Sequence, residues 1–231
     1  MQKFVATHVQ KLGKSACIRT VQRILKGAGF VWKRMRNSLK RNRNEELFRF
    51  FIEELKRLKK EAKEGKINLC YFDETGLSLN PNVPYAWQLK GTTAILPAER
   101  IKGITILGIL DPLQEKFSGN MYQGAANSEC VIQTLEEYSK SLKKKTILVL
   151  DNAAIHKSKI VKTYVDSWRK RGLYLQFIPA YCPELNLIEI LWKHLKHFWL
   201  KPKDYISMEV LAERAISILQ QYGKEYTITY F

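Results

Sequence analysis

Paired cysteines are missing from this chain. Its four cysteines, Cys17, Cys70, Cys130 and Cys182, stand far apart and form no C-x-x-C motif. Such spacing excludes a zinc ribbon or a disulfide scaffold and predicts reduced thiols in a cytoplasmic protein. No apolar run approaches the roughly 18–20 residues that span a bilayer, and the N-terminus has no signal-peptide core, so no membrane partner is expected. Internal repeats and low-complexity segments are absent. So are a Walker phosphate loop and the G-x-S-x-G turn of acyl-transfer enzymes, which leaves ATP-driven and acyl-transfer chemistry without support. Apolar residues still make up 45% of the 231 residues, enough to bury an ordinary core and to exclude wholesale disorder.

Acid is scarce where base is abundant. The whole chain carries 39 Lys+Arg against 22 Asp+Glu, a formal charge of +17. Residues 1–66 hold 19 basic and 6 acidic side chains, a balance of +13, and the other 165 residues hold only +4. Concentrated positive charge attracts a polyanion, because neutralising phosphates releases condensed counterions. A merely solvated basic helix surface is the alternative. Residues 3–12 read as a short helix, and Ser15 as the N-cap of a second over about 17–27. Ile18, Val21, Ile24 and Leu25 give that helix an apolar stripe, and Gly27 or Gly29 stops it. Arg19, Arg23 and Lys26 face the other way. Two short helices with a basic face on the second predict a helix-turn-helix that reads the major groove. The run Lys33, Arg34, Arg36, Lys40, Arg41 and Arg43 follows, suited to a phosphate backbone. Residues 45–64 read as a charged amphipathic helix. The expected division is a partial helix-turn-helix with a basic arm over 1–43, a helical linker over 44–66 and a catalytic domain over 67–231.

From residue 67 the pattern changes. A strand over 67–72 delivers Asp73 and Glu74. Further strands are expected over 85–89, 92–96, 104–110, 146–150 and 173–178. Helices are expected over 127–142, 157–171, 186–200 and 208–222. Hairpin-like strands followed by alternating strands and helices predict an α/β fold, a mixed sheet with helices on its faces.

Three acids occupy unusual places. Asp73 and Asp151 each follow an apolar strand, and Glu189 lies among Leu187, Ile188, Ile190 and Leu191. Burying a charge is costly unless a cation balances it. Converging carboxylates are hard oxygen ligands suited to Mg2+ or Mn2+. Two such ions about 3.5–4 Å apart serve phosphodiester chemistry. Simpler readings stand beside this one. Asp151-Asn152 has the form of a strand-end turn, Asn186 and Glu189 have the spacing of a capping box, and Asp73 has lysines available to pair with. By spacing alone, Glu74, Asp111, Asp166 and Glu184 remain rivals. His194 and His197 are three apart on a helix, but with no cysteine partner they read as surface or packing residues. Trp192, Phe198 and Trp199 read as core.

Three blocks settle the preference. Tyr71-Phe72-Asp73-Glu74-Thr75-Gly76 is the first. The second runs over 148–158 and contains Leu150-Asp151-Asn152-Ala153-Ala154-Ile155-His156. The third runs over 179–193 and contains Pro183-Glu184-Leu185-Asn186-Leu187-Ile188-Glu189. In order and spacing they resemble the catalytic blocks of the DDE transposases, in particular the insertion-sequence branch of the Tc/mariner superfamily. The resemblance covers about 67–200 and implies an RNase H-like fold. It implies Asp73, Asp151 and Glu189 as catalytic metal ligands for two Mg2+ or Mn2+ ions, with Glu74, Asn152, His156 and Asn186 in support. Leu187 stands where the family usually has proline, and Glu184 where it often has aspartate. The implied activity is cleavage and strand transfer of double-stranded DNA at terminal inverted repeats and target sites. The implied state is a homodimer or higher assembly, at the nucleoid of a bacterium or archaeon. The family normally carries one more helix-turn-helix ahead of the one read here, so a truncated DNA-binding remnant is an alternative. Another RNase H-like nuclease is a third.

Overall fold

The computed structural model describes residues 17–31, 42–80 and 103–230 of the chain. The expected helix over 3–12, the strands over 85–89 and 92–96, and Ser15, Lys33, Arg34, Arg36, Lys40 and Arg41 lie outside them. The chain forms two compact units, residues 1–39 and 40–231. In the first, α1 spans Ile18–Gly27. Its N-cap is Cys17 rather than Ser15: the sulfur accepts the Thr20 amide at 3.4 Å. Gly29 takes the positive φ of +81° past the helix end, where a side chain would be strained. Of the expected apolar stripe, Val21 is buried, whereas Ile24 is exposed.

In the second unit, α2 (Glu45–Lys63) starts at Asn44, whose side chain accepts the Leu47 amide. Next come β1 (Asn68–Leu77), β2 (Ile104–Asp111), β3 (Lys116–Gln123), α3 (Ser128–Lys140), β4 (Thr146–Leu150), α4 (Lys159–Lys170), β5 (Leu173–Phe177), α5 (Ile188–His194) and α6 (Met208–Gln220). The sheet order is β3-β2-β1-β4-β5. β1, β2 and β3 pair antiparallel; β4 pairs parallel with β1 and with β5. This is the mixed sheet flanked by helices that the pattern predicts. β3 was not foreseen, because Lys116, Ser118 and Asn120 alternate with only modest apolar residues on an edge strand.

Strand periodicity splits the core into two layers. Leu69, Tyr71, Val149, Ile106 and Leu110 face one side, where they pack with Leu55 and Leu58 of α2, Leu191 and Trp192 of α5, and Leu211 and Ile218 of α6. Cys70, Phe72, Leu107, Leu148 and Leu150 face the other, against Val131 and Leu135 of α3 and Val161 and Trp168 of α4. Thus α2 is packed into the same body as the sheet and is not a free linker.

One glycine sets how α5 lies on the sheet. Gly108 pairs across strands with Asp73 on one side and Gly119 on the other. A Cβ there would stand 2.6 Å from the Trp192 ring and 2.5 Å from the Phe117 ring. Trp192 and Phe117 pack edge to face over this gap, with centroids 5.8 Å apart. Gly108→Ala should therefore destabilise the protein by about 1–3 kcal/mol through overpacking. Urea denaturation checks this; a loss under about 0.5 kcal/mol would mean that α5 shifts freely on the sheet.

Candidate active site

Asp73 is inside β1, not at its end, opposite Gly108. Its strand neighbour β4 is shorter. Tyr71 pairs with Val149, and β4 ends at Leu150. Two residues beyond that pair stand Asp73 and Asp151. Equal parity puts both on the α5 face. Glu189 sits in the first turn of α5, one helical turn before Trp192, so the packing of Trp192 over Gly108 brings Glu189 beside Asp73. Two clefts, of about 560 and 390 Å3, share Asp73, Asp151 and Glu189 as walls. The three acids singled out in the sequence do converge.

The capping-box reading fails and the rival acids are occupied elsewhere, while the strand-end turn holds: the Ala153 amide donates to Asp151 Oδ1 at 2.9 Å. Asn186 does not cap a helix with Glu189. Its Nδ2 donates to the carbonyl of Phe72 at 3.0 Å, and α5 has no side-chain N-cap. That bond ties the entry of α5 to the residue before Asp73. Leu187 packs against the core. Glu184 pairs with Arg43 at 2.6 Å. Asp111 accepts the amides of Leu113 and Gln114 in the β2–β3 turn. Asp166 stands exposed on α4, 3.8 Å from Arg169. None of these three lines either cleft.

Like charges crowd the site. Asp73 is buried, and burial, then Glu189, Glu74 and Asp151, push its carboxyl up to about 8. Glu189 is also raised, by burial foremost and by Asp151 and Glu74, against the pull of Lys196. Asp151 is lowered, because it accepts a hydrogen bond from His156 and another from the Ala153 amide. His156 is fully buried, against the Phe72 ring. Its Nδ1 lies 2.8 Å from Asp151 Oδ1, and its Nε2 lies 3.2 Å from Glu74 Oε2. The second contact has the distance of an ion pair without hydrogen-bond alignment. Burial pulls the imidazolium down, yet the two carboxylates outweigh it and raise His156 to about 9. Asn152 donates to the Ile178 carbonyl, fastening the strand end to the following loop.

The carboxylates suit a hard divalent cation by donor type. Among the described residues, no three His, Cys, Asp or Glu side chains yet enclose an ion-sized space. The crowding of negative charge on Asp73 is what a cation would relieve.

Sequence reasoning missed the basic side of the cleft. Lys193 and Lys196 follow Glu189 by four and seven residues, on the same helix face, and His197 joins them. Lys196 lies on the widened π-turn Leu195–Trp199 that extends α5. Burial lowers it, against Glu189 and Asp73. The i+4 and i+7 spacing was the available signal. His194 instead bonds the Ile190 carbonyl and packs on Phe198 and Trp199. Trp192 is core, as expected; Phe198 is not, being 51% exposed. Arg19, Arg23 and Lys26 are exposed on α1. Arg43 departs from its expected DNA-contacting role. It lies over the Phe48 ring, pairs with Glu45 and Glu184, and leaves only 13% of its side chain exposed.

A family model described as DDE superfamily endonuclease matches residues 68–211, which contain all three carboxylates. The chain belongs to that family. The insertion element IS630 uncharacterized 39 kDa protein of Shigella sonnei is 30% identical over 187 residues, covering 76% of this chain and 50% of that protein. The chain thus spans about half the length of this curated relative. Among solved structures, the Mos1 strand transfer complex aligns over 98% of this chain and 79% of its own, with 16% identity and a TM-score of 0.56. The mariner Mos1 paired end complex with Mg aligns over 95% and 74%, with 17% identity and a TM-score of 0.57. These likenesses establish the RNase H-like fold of this DDE superfamily member. Among the described residues, no helix is long and apolar enough to cross a membrane.

Both strong shifts at the site act on stability in one direction. Asp73 keeps its proton in the folded state from its ordinary 3.8 up to about 8, so its contribution is full below about pH 4 and lost by about pH 8. His156 contributes fully below 6.5 and loses that contribution as pH passes about 9. In chelator, these two groups should make the Tm fall as pH rises from about 5.5 to 9.5, above the range where the lowered carboxylates such as Glu136 still titrate. Asp73→Asn should flatten the lower part of the fall and His156→Gln the upper part. Parallel profiles for wild type and variants would refute the shifts.

Proposed function

We propose that this chain carries out metal-dependent DNA strand cleavage and strand transfer, as the transposase of an insertion element. The convergence of Asp73, Asp151 and Glu189 on one cleft carries the reading. These three hold the cations, with Mg2+ or Mn2+ fitting their oxygen donors and two ions fitting the chemistry. Bound ions of this kind supply activation of an attacking oxygen and stabilisation of a leaving one. Glu74 and His156 hold the Asp151 carboxylate in place, while Asn186 fixes the approach of α5. Lys193 and Lys196 offer positive charge to phosphate oxygens across from the acids. Hydrolysis at an element end frees a 3′-hydroxyl, which then attacks the phosphorus of a target phosphodiester, forming a new P–O bond as the target strand's own 3′-oxygen leaves, with no covalent bond to the protein.

Partners in this reading are double-stranded DNA at terminal inverted repeats and at the target, with two or more copies of the chain assembled on it. Support comes from the insertion-element relative and from the Mos1 complexes, which include a paired-end complex with left transposon end. The compartment it implies is the cytoplasm of a bacterium or archaeon, at the nucleoid. Residues 1–43 form the DNA-reading segment, with Arg19, Arg23 and Lys26 facing base edges and Lys33, Arg34, Arg36, Lys40 and Arg41 facing phosphates. Residues 44–66 pack with the catalytic region over 67–231.

Asp73→Asn, Asp151→Asn and Glu189→Gln should each reduce strand cleavage at least about a thousandfold, the scale of losing a preorganised electrostatic group. Duplex binding should stay within about threefold of wild type, because the basic segment is untouched. Glu184→Gln should keep cleavage, since that side chain pairs with Arg43. Oligonucleotide cleavage with Mg2+, with Mn2+ and with EDTA measures this. Undiminished cleavage in EDTA, or an active Glu189→Gln beside an inactive Glu184→Gln, would overturn the assignment. Arg19→Ala or Arg23→Ala should instead relax sequence preference by about 1–3 kcal/mol per lost base contact.

A further inference from the structure

At the opposite ends of the strands lies a cleft that this reaction does not use. It measures about 720 Å3 and is lined by Lys116 at the start of β3, Lys143 and Lys144 in the turn before β4, and Lys224 beyond α6. Asp111 is the acid in this lining among the described residues, and its Oδ1 is occupied by two backbone amides. Lys116 is steadied by Gln114, 3.1 Å away. Lys143, Lys144 and Lys224 form no ion pair with an acidic side chain among the described residues. The lining balance is therefore +3, supplied by three separate stretches of chain. Asn68, Ser118 and Ser141 add neutral hydrogen-bonding groups between the lysines.

Position separates this cleft from the catalytic one. Lys144 precedes β4 and Asp151 follows it, seven residues apart. At about 3.3 Å per strand residue they are about 23 Å apart, so one phosphate cannot touch both. The catalytic cleft has Asp73, Glu74, Asp151 and Glu189 against Lys193 and Lys196, and offers little attraction to a polyanion by itself. Positive charge at the far end of the same strands compensates for that.

We propose that the Lys116–Lys143–Lys144–Lys224 cleft is a second duplex-DNA site, binding the phosphate backbone without reading sequence. Several cations supplied by separate segments of the chain match a repeating row of phosphates better than one compact anion. The inference rests on the DNA reading above. It adds a surface in the second unit, apart from the carboxylate cleft.

The test is a fluorescence titration of the full chain with a labelled random-sequence 40-base-pair duplex, in EDTA, between 50 and 200 mM salt. The comparison is wild type, Lys143→Gln/Lys144→Gln/Lys224→Gln, and a control Lys56→Gln/Lys60→Gln/Lys162→Gln, with thermal melts to verify folding. Three lost phosphate contacts should make the slope of log K against log salt shallower by about 2.7. Over this fourfold salt range the cleft variant should thus lose about 40-fold less affinity than wild type, and it should bind more weakly at 50 mM. The control should change the slope by less than about one. If wild type binds no duplex, the DNA reading itself falls. If wild type binds and the cleft variant matches it, or the control loses as much as the cleft variant, the second site alone falls.

Discussion

Everything at this site depends on how closely α5 can approach the sheet. Two contacts fix that approach. Trp192 lies over the missing side chain of Gly108, and Asn186 bonds to the Phe72 carbonyl. One contact holds the helix across the sheet, and the other ties its first turn to the residue before Asp73. Glu189 lies between them in sequence, so its place relative to Asp73 follows from backbone packing and not from any attraction between the two acids. The acids repel each other. Their meeting therefore has to be enforced by apolar and backbone contacts elsewhere, and the buried edge-to-face pair of Trp192 and Phe117 is part of that enforcement.

The alternation of β1 performs a second separation. Asp73 faces α5, while its neighbour Glu74 faces the α3–α4 layer, where His156 is buried. Both carboxylates line the cleft, and Glu74 also reaches the buried His156 behind it. His156 reaches back from the turn after β4 to Asp151 and across to Glu74. Through that imidazole the two parallel strands are linked at the level where their carboxylates emerge. The arrangement lowers Asp151 while Asp73 and Glu189 rise. Three acids in one cleft hold their protons unequally, as expected where one has a cationic partner and the others have mainly burial and like charge.

Charge is also divided along the strands. Acid collects at Asp73 within β1 and at Asp151 just past the carboxyl end of β4, and lysine collects toward their amino ends, around the turn before β4. A reaction on a polyanion needs both: carboxylates to hold cations at the reacting phosphate, and protein cations to hold the rest of the chain of phosphates. Carboxylate crowding weakens the fold when no cation is present, a familiar conflict between stability and activity.

Much of this was legible in the sequence. The apolar strands before Asp73 and Asp151, the acid among leucines and isoleucines at Glu189, and the concentration of base in residues 1–66 follow from local composition and periodicity. The alternating strands and helices also announced a mixed sheet, because a strand has to present a face of regular period to be buried. Other features were beyond local reading. β3 is an edge strand with a weak alternation, and the pairing of Glu184 with Arg43, 141 residues away, had no local signal. Arg43 looked like one more member of a basic run until Glu45, Glu184 and Phe48 enclosed it. Lys193 and Lys196 belonged to the cleft only once the helix face bearing Glu189 was known. Sequence determined which residues carry charge into apolar surroundings, since that is a property of neighbours in the chain. Tertiary structure decided which of those charges meet, because strand register and helix docking bring together residues that no local pattern connects.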